Sequence, residues 1–203
     1  MSAASLPDAL NDVVMQLSRL PGLGPKSALR CAMALLRWPE AQTRRLGQSI
    51  LELRDKLHLC SRCGALADTD PCSICADPMR NAEMLCLVAE WDSMLTLEGG
   101  AFYQGLYFIL DGLLSPLENI TPETLDLARL ERRLAEGEVH EVIFALGTRL
   151  EAETTAHYLK ERIARLFPQI RVSRLAQGIP LGAEVRYMDR ETLRQSLAFR
   201  QDL

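Results

Sequence analysis

Cys60-Ser-Arg-Cys63, eight residues, then Cys72-Ser-Ile-Cys75: this stretch decides how the 203-residue chain is put together. Two Cys-x-x-Cys pairs this close bring four thiolates onto one ion, each short turn supplying two ligands. A tetrahedral zinc site has the size for that. Gly64, Asp68, Asp70 and Pro71 fill the interval with turn formers, and a knuckle needs its ligands on tight turns. The competing readings are two disulfides or four unrelated buried cysteines. Disulfides would imply an exported chain, yet residues 1–11 carry neither the basic start nor the apolar core of a signal peptide. The spacing predicts one zinc per chain, held by Cys60, Cys63, Cys72 and Cys75. Four sulfurs leave no open position for water, so a structural metal is expected. Cys31 and Cys86 lie in apolar patterns and read as small core residues, which points to a reducing, cytoplasmic setting.

Before the cysteines the periodicity is helical. Leu10, Val13, Val14, Leu17 and Leu20 share one face of a helix over 6–20. Pro21, Gly22 and Gly24 end it, and Pro25 suits the first turn of a second helix, with Leu29, Met33 and Leu36 on one side. Pro39 breaks that one. A third runs to about residue 57 with Leu46, Ile50, Leu53 and Leu57 at helical spacing. Everything before the cysteines is thus expected to be helical. Leu20 and Leu23 are expected to pin the hairpin between the first two helices.

After Cys75 the pattern changes. Leu85-Cys-Leu-Val-Ala89, Leu106-Tyr-Phe-Ile-Leu110 and Glu141-Val-Ile-Phe-Ala145 read as strands, and Ile170-Arg-Val-Ser-Arg-Leu175 less clearly so. Helical stretches over 94–98, 122–136 and 151–167 lie between them, with a last helix over 190–199. Short apolar strands alternating with helices argue for a mainly parallel sheet covered on both faces. The expected fold is α+β in three parts: a helical region over 1–59, a zinc knuckle over 60–80 acting as the hinge, and an α/β domain over 81–203.

The content of 48% hydrophobic residues is ample for a core, and no apolar run approaches the roughly 20 residues that span a membrane. The net charge of −4 hides an asymmetry. Residues 1–59 carry 8 Lys and Arg against 5 Asp and Glu, whereas residues 81–203 carry 13 against 19. A phosphate-binding surface is therefore sought in the first third. Gly22 and Gly24 let the backbone approach a partner closely, and their N–H groups, with those opening the next helix, form an anion site aided by the helix dipole. Lys26 and Arg30 add charge beside it. Such a site reads phosphates and not bases, so binding is expected to be salt-sensitive and sequence-independent. A plain helix-helix turn would use the same residues. A nucleotide P-loop is rejected, because Pro25 precedes the Lys and no strand precedes the loop.

Leu20-Pro-Gly-Leu-Gly-Pro-Lys-Ser-Ala28 looks like a helix-hairpin-helix. Followed by a four-cysteine knuckle, by Tyr107-Phe-Ile-Leu-Asp-Gly-Leu-Leu-Ser-Pro116 and by Gln177-Gly-Ile-Pro-Leu-Gly182, it resembles the RecR family of bacterial recombination mediators over nearly the whole chain. The resemblance implies that residues from about 81 onward form a Toprim domain. Active Toprim sites gather Mg²⁺ on a Glu after the first strand and an Asp-x-Asp after a later one. Glu90 stands at the first place, but Gly147 and Arg149 occupy the other two. Ala152 replaces the usual Gly between Glu151 and Glu153, and Asp111 is a further departure. A guanidinium at 149 repels a divalent cation. Glu90, Glu151 and Glu153 are then an acidic docking patch for a partner, or solvated helix-start residues. Val185-Arg-Tyr-Met-Asp189 resembles the family's Walker-B-like element, and without a Walker A loop it is expected to serve subunit contact.

By resemblance the expected function is that of a non-enzymatic mediator, cytoplasmic and nucleoid-associated. It would bind single- and double-stranded DNA and work with RecO and, in some settings, RecF to load recombinase onto DNA coated by single-strand-binding protein. The alternative is a Mg²⁺-dependent Toprim nuclease or topoisomerase-like enzyme. One hairpin holds few phosphates, so a homo-oligomer is expected, a dimer exchanging helix faces around Val13, Leu17 and Met33, or a tetrameric ring.

Overall fold

The computed structural model describes residues 6–200; the first five and last three residues of the expected 1–59 and 81–203 regions lie outside the described residues. The chain divides into two compact units between Lys56 and Leu57.

The first unit holds α1 (Asp8–Ser18), α2 (Pro25–Arg37) and α3 (Glu40–Lys56). Pro25 sits in the first turn of α2, where no N–H is needed. Trp38, held extended by the following Pro39, ends that helix, and α3 restarts directly after the proline. The small core is Val14 against Ala28 and Ala32, with Leu10, Leu17 and Leu29 packed round it. This corrects the expected face of α2. Two alanines one turn apart let α1 approach closely, which leaves Met33 and Leu36 exposed. Cys31, about 100° round the helix from Ala32, is exposed too and is not a core residue. Leu20 is also exposed, so of the expected pins only half-buried Leu23 remains inside. No residue of α3 is buried: Leu46, Ile50 and Leu53 all face out.

The second unit opens on strands that the periodicity does not reveal. β1 (His58–Leu59) pairs antiparallel with β2 (Leu66–Ala67), so the chain before Cys60 is not helical throughout. The short α4 (Ser73–Ala76) follows, capped by the Cys72 sulfur. Then come β3 (Asn81–Val88), α5 (Trp91–Gly99), β4 (Gly105–Ile109), α6 (Leu127–Ala135), β5 (Glu141–Ala145), α7 (Leu150–Leu166), β6 (Arg171–Arg174) and α8 (Arg190–Ala198). The four later strands form a parallel sheet in the order β4-β3-β5-β6.

Along β4 and the second half of β3 both faces are buried, which is why those strands read as continuous apolar runs, whereas β5 is buried at alternate residues and β6 at none. Leu85, Leu87, Leu106 and Phe108 face α6 and α7 with Leu130, Leu134, Leu159 and Ile163. Cys86, Val88, Tyr107 and Ile109 face the other way, with Met94 of α5 and the knuckle cysteines. The knuckle is therefore part of the α/β unit and not a hinge. α6 starts later than expected, because Asp126 caps it by accepting the Arg129 N–H at 3.1 Å while residues 121–125 turn on themselves.

Candidate metal centre and nucleic-acid interface

The hairpin between α1 and α2 is tight. Leu23 N–H donates to the Leu20 carbonyl at 3.1 Å, and Gly22 takes φ 77°, a left-handed value that glycine adopts without strain. Gly24, the N-cap of α2, has an ordinary φ of −74°. A Cβ built on Gly24 meets nothing within 4 Å, so neither backbone nor packing inside the unit requires a glycine there. The N–H groups of Gly24, Lys26 and Ser27 have no partner among the described residues, and Lys26 and Arg30 are exposed one turn apart. The four residues singled out from the sequence are all exposed, two in the hairpin and two in the first turns of α2.

The four cysteine sulfurs lie within 4.8 Å of one another, with Cys63 and Cys72 at 3.6 Å. Zn–S bonds of about 2.3 Å in a tetrahedron give edges of about 3.8 Å, so the group fits zinc. Backbone N–H groups of Ala65, Cys72 and Cys75 donate to Cys63, Cys60 and Cys72 sulfurs, each at 3.4 Å. Those donors favour thiolates. Crowding sets the thiols against one another. The hydrogen bond from Cys63, then that from Cys75, holds Cys72 down at about 2, while the Cys72 contact pushes Cys63 up to about 12. Cys75 is pushed up as well, through Cys63 first. A divalent cation at the centre reverses this, since it favours every sulfur ionised.

Around the knuckle stands an arrangement that spacing cannot reveal. Gly64, at φ 80°, lies so close to α6 that a Cβ would come within 2.7 Å of Arg129 Nη1 and 3.3 Å of the Ile109 carbonyl. Arg62, between the first two cysteines, donates to Glu136 at 2.8 Å. Buried Arg133 pairs with the same Glu136 and with Glu138 at 3.3 Å. The Cys63 carbonyl accepts the Ile109 N–H at 2.8 Å, so the knuckle covers the end of the outer edge of β4.

The acidic rim lies at the carboxyl ends of the strands. Glu90 is the N-cap residue of α5, Arg149 is that of α7, and Glu151 and Glu153 stand in the first turn of α7. Glu153 pairs with Arg174 at 2.6 Å. Among the described residues only the cysteines form a group of three or more ligand-type side chains close enough to share an ion; the three glutamates are not gathered into one.

Four family models match the chain in order: RecR, helix-hairpin-helix over residues 10–54; the RecR zinc finger domain of four cysteines over 57–77; Toprim domain over 83–176; and RecR, C-terminal over 178–201. Recombination protein RecR of Nitratidesulfovibrio vulgaris is 65% identical over 198 residues, 98% of each chain. The chain belongs to the RecR family. The RecR of Maridesulfovibrio salexigens is 52% identical, with 98% of this chain and 99% of that one aligned; the RecR of Moorella thermoacetica is 42% identical over 97% and 98%. The fold expected from the sequence, helical region, knuckle and Toprim domain with a parallel sheet, is the one found. In this RecR-family chain the four-cysteine cluster is a zinc centre, and its closed donor set makes the ion structural. No helix among the described residues is long and apolar enough to cross a membrane.

Proposed function

We propose that this RecR-family chain serves recombinational repair as a non-enzymatic mediator. It holds DNA through the phosphates and works with RecO, and with RecF where present, to load recombinase onto single strands coated by single-strand-binding protein. The observation that carries the DNA reading is Gly24, a glycine that nothing within the unit requires. Beside it lie amides without a partner among the described residues and two exposed cations. A bare backbone at a helix N-terminus admits a phosphate where a side chain would stand in its way. Gly22, Gly24, Lys26 and Arg30 make this contact with single- or double-stranded DNA alike, and the protein works at the cytoplasmic nucleoid.

One hairpin spans few phosphates, so the working form is a homo-oligomer, a dimer or a tetrameric ring that encloses DNA. The apolar residues left uncovered on α2 and α3 support that reading. Glu90, Glu151 and Glu153 offer an acidic surface to a basic partner such as RecO. Against metal-dependent cleavage stand the dispersal of those glutamates and the guanidinium at Arg149.

The test is a salt titration of DNA binding. Lys26→Ala/Arg30→Ala is expected to weaken binding equally on unrelated sequences. It is also expected to flatten the salt dependence by roughly one unit of slope for each phosphate no longer neutralised. Unchanged binding by the double variant moves the DNA site elsewhere. Mg²⁺-dependent cutting of supercoiled or gapped DNA that Glu90→Gln abolishes overturns the non-enzymatic reading.

A further inference from the structure

The two edges of the Toprim sheet are unlike. The outer edge of β4 is held at Ile109 by the knuckle, whereas β6 is outermost on the other side. Arg171 and Leu175 direct their N–H groups inward, to the carbonyls of His140 and Phe144 at 2.9 and 3.1 Å. Successive residues of a strand alternate, so Val172 and Arg174 direct theirs outward, and those two N–H groups have no partner among the described residues. A cavity flanks this edge on each face. The larger, about 470 Å³, has apolar walls from Leu97, Leu146 and Leu175 on the α5 side. The smaller, about 260 Å³, lies on the α7 side beside His157 and Lys160. Phe144 and Arg174 border both.

We propose that β6 accepts an added strand from a partner protein, an extended segment in which apolar residues alternate with carboxylates. A strand laid along the edge sends alternate side chains to opposite faces, so one set enters the apolar cavity and the other meets Lys160. The charge favours acidic side chains. The strand itself carries Arg171 and Arg174 and no acidic residue, within a domain that is acidic as a whole. Lys160, which lines the smaller cavity, is tied into no ion pair among the described residues. The acidic groups beside the strand are already engaged, Glu141 with Arg171 and Glu153 with Arg174. The Arg174–Glu153 pair is about half exposed on both sides, so an incoming carboxylate exchanges with Glu153 at little cost. A second copy of β6 is the poorer occupant, because it sets arginines against arginines.

The test uses the full chain and two fluorescein-labelled decapeptides of equal composition, one alternating Asp and Leu, the other with all Asp before all Leu. The alternating peptide is expected to bind at least tenfold more tightly. Val172→Pro removes an outward N–H and spares the inward donors, a change that edge strands tolerate, and it is expected to abolish the preference. Lys160→Glu, on the exposed face of α7, is expected to weaken the alternating peptide tenfold and guards against a misfolded proline variant. Hydrogen exchange at Val172 and Arg174 is expected to slow when peptide is added. Equal binding of the two peptides overturns the proposal, as does a preference that survives both variants. So do amides already protected without peptide in an oligomer, which would make a second copy the occupant. DNA binding measured on the same preparations is expected to be unchanged, so failure here and failure of the DNA reading are told apart.

Discussion

Gly22 and Gly24 lie two residues apart in the hairpin and answer to different demands. At φ 77° an alanine in place of Gly22 is strained by about 1 kcal/mol, so Gly22→Ala is expected to lower the melting temperature of the helical unit. Gly24→Ala meets no strain and no neighbour; it is expected to leave melting unchanged while weakening DNA binding in a fluorescence anisotropy titration. If both variants melt alike and bind alike, the division is wrong. A second residue-scale prediction concerns acid. Arg80, which is mostly buried, hydrogen-bonds Glu98 and holds its carboxyl below the usual carboxylate range. The contribution is therefore fully present above pH 4.5, the ordinary value for that group, and is lost as pH falls through the lower folded value. Wild type is expected to lose more stability than Glu98→Gln between about pH 5 and pH 3, measured by urea denaturation across that range. Parallel curves would remove the ion pair from the account of acid sensitivity.

Among the elements, β3 and β4 are legible because burial on both faces writes an apolar run into the sequence, and β5 and, more faintly, β6 because their residues alternate. β1, β2 and α4 are not, since two-residue strands and a single helical turn leave no period to read. The face of α2 misleads for a different reason: the packing residues are Ala28 and Ala32, and small size is as good a contact as bulk when helices approach closely. In the metal centre the ligands announce themselves by spacing, whereas Arg62–Glu136 joins residues 74 apart, a link no local pattern carries. The knuckle also carries the element-scale prediction. Structural zinc contributes on the order of 10 kcal/mol in zinc-finger peptides. Metal analysis is expected to find one zinc per chain, and chelation to speed hydrogen exchange at Ile109, whose N–H depends on the Cys63 carbonyl. A well-folded, metal-free Cys60→Ser/Cys72→Ser chain with Ile109 still protected would contradict this.

On the scale of the whole molecule, α3 buries none of its residues within the chain, although Leu46, Ile50 and Leu53 form an apolar stripe at helical spacing. Such a face is expected to be covered by another copy, in line with the closed symmetry common among soluble oligomers. Light scattering at micromolar concentration is expected to give a multiple of 22.7 kDa, and Ile50→Glu/Leu53→Glu to shift it toward one chain. A wild-type mass of 22.7 kDa with DNA present would end the oligomer reading. The seal on β4 has a consequence outside recombination altogether. Residues 60–75 leave the ribosome before residues 105–109, so the cap exists before the strand it covers, provided that metal is at hand. In zinc-starved cells each new chain would emerge with a bare, apolar strand edge, the kind that recruits its neighbours into insoluble sheets. Zinc supply during expression would then decide how much of the protein is recovered soluble and how much is lost to inclusion bodies.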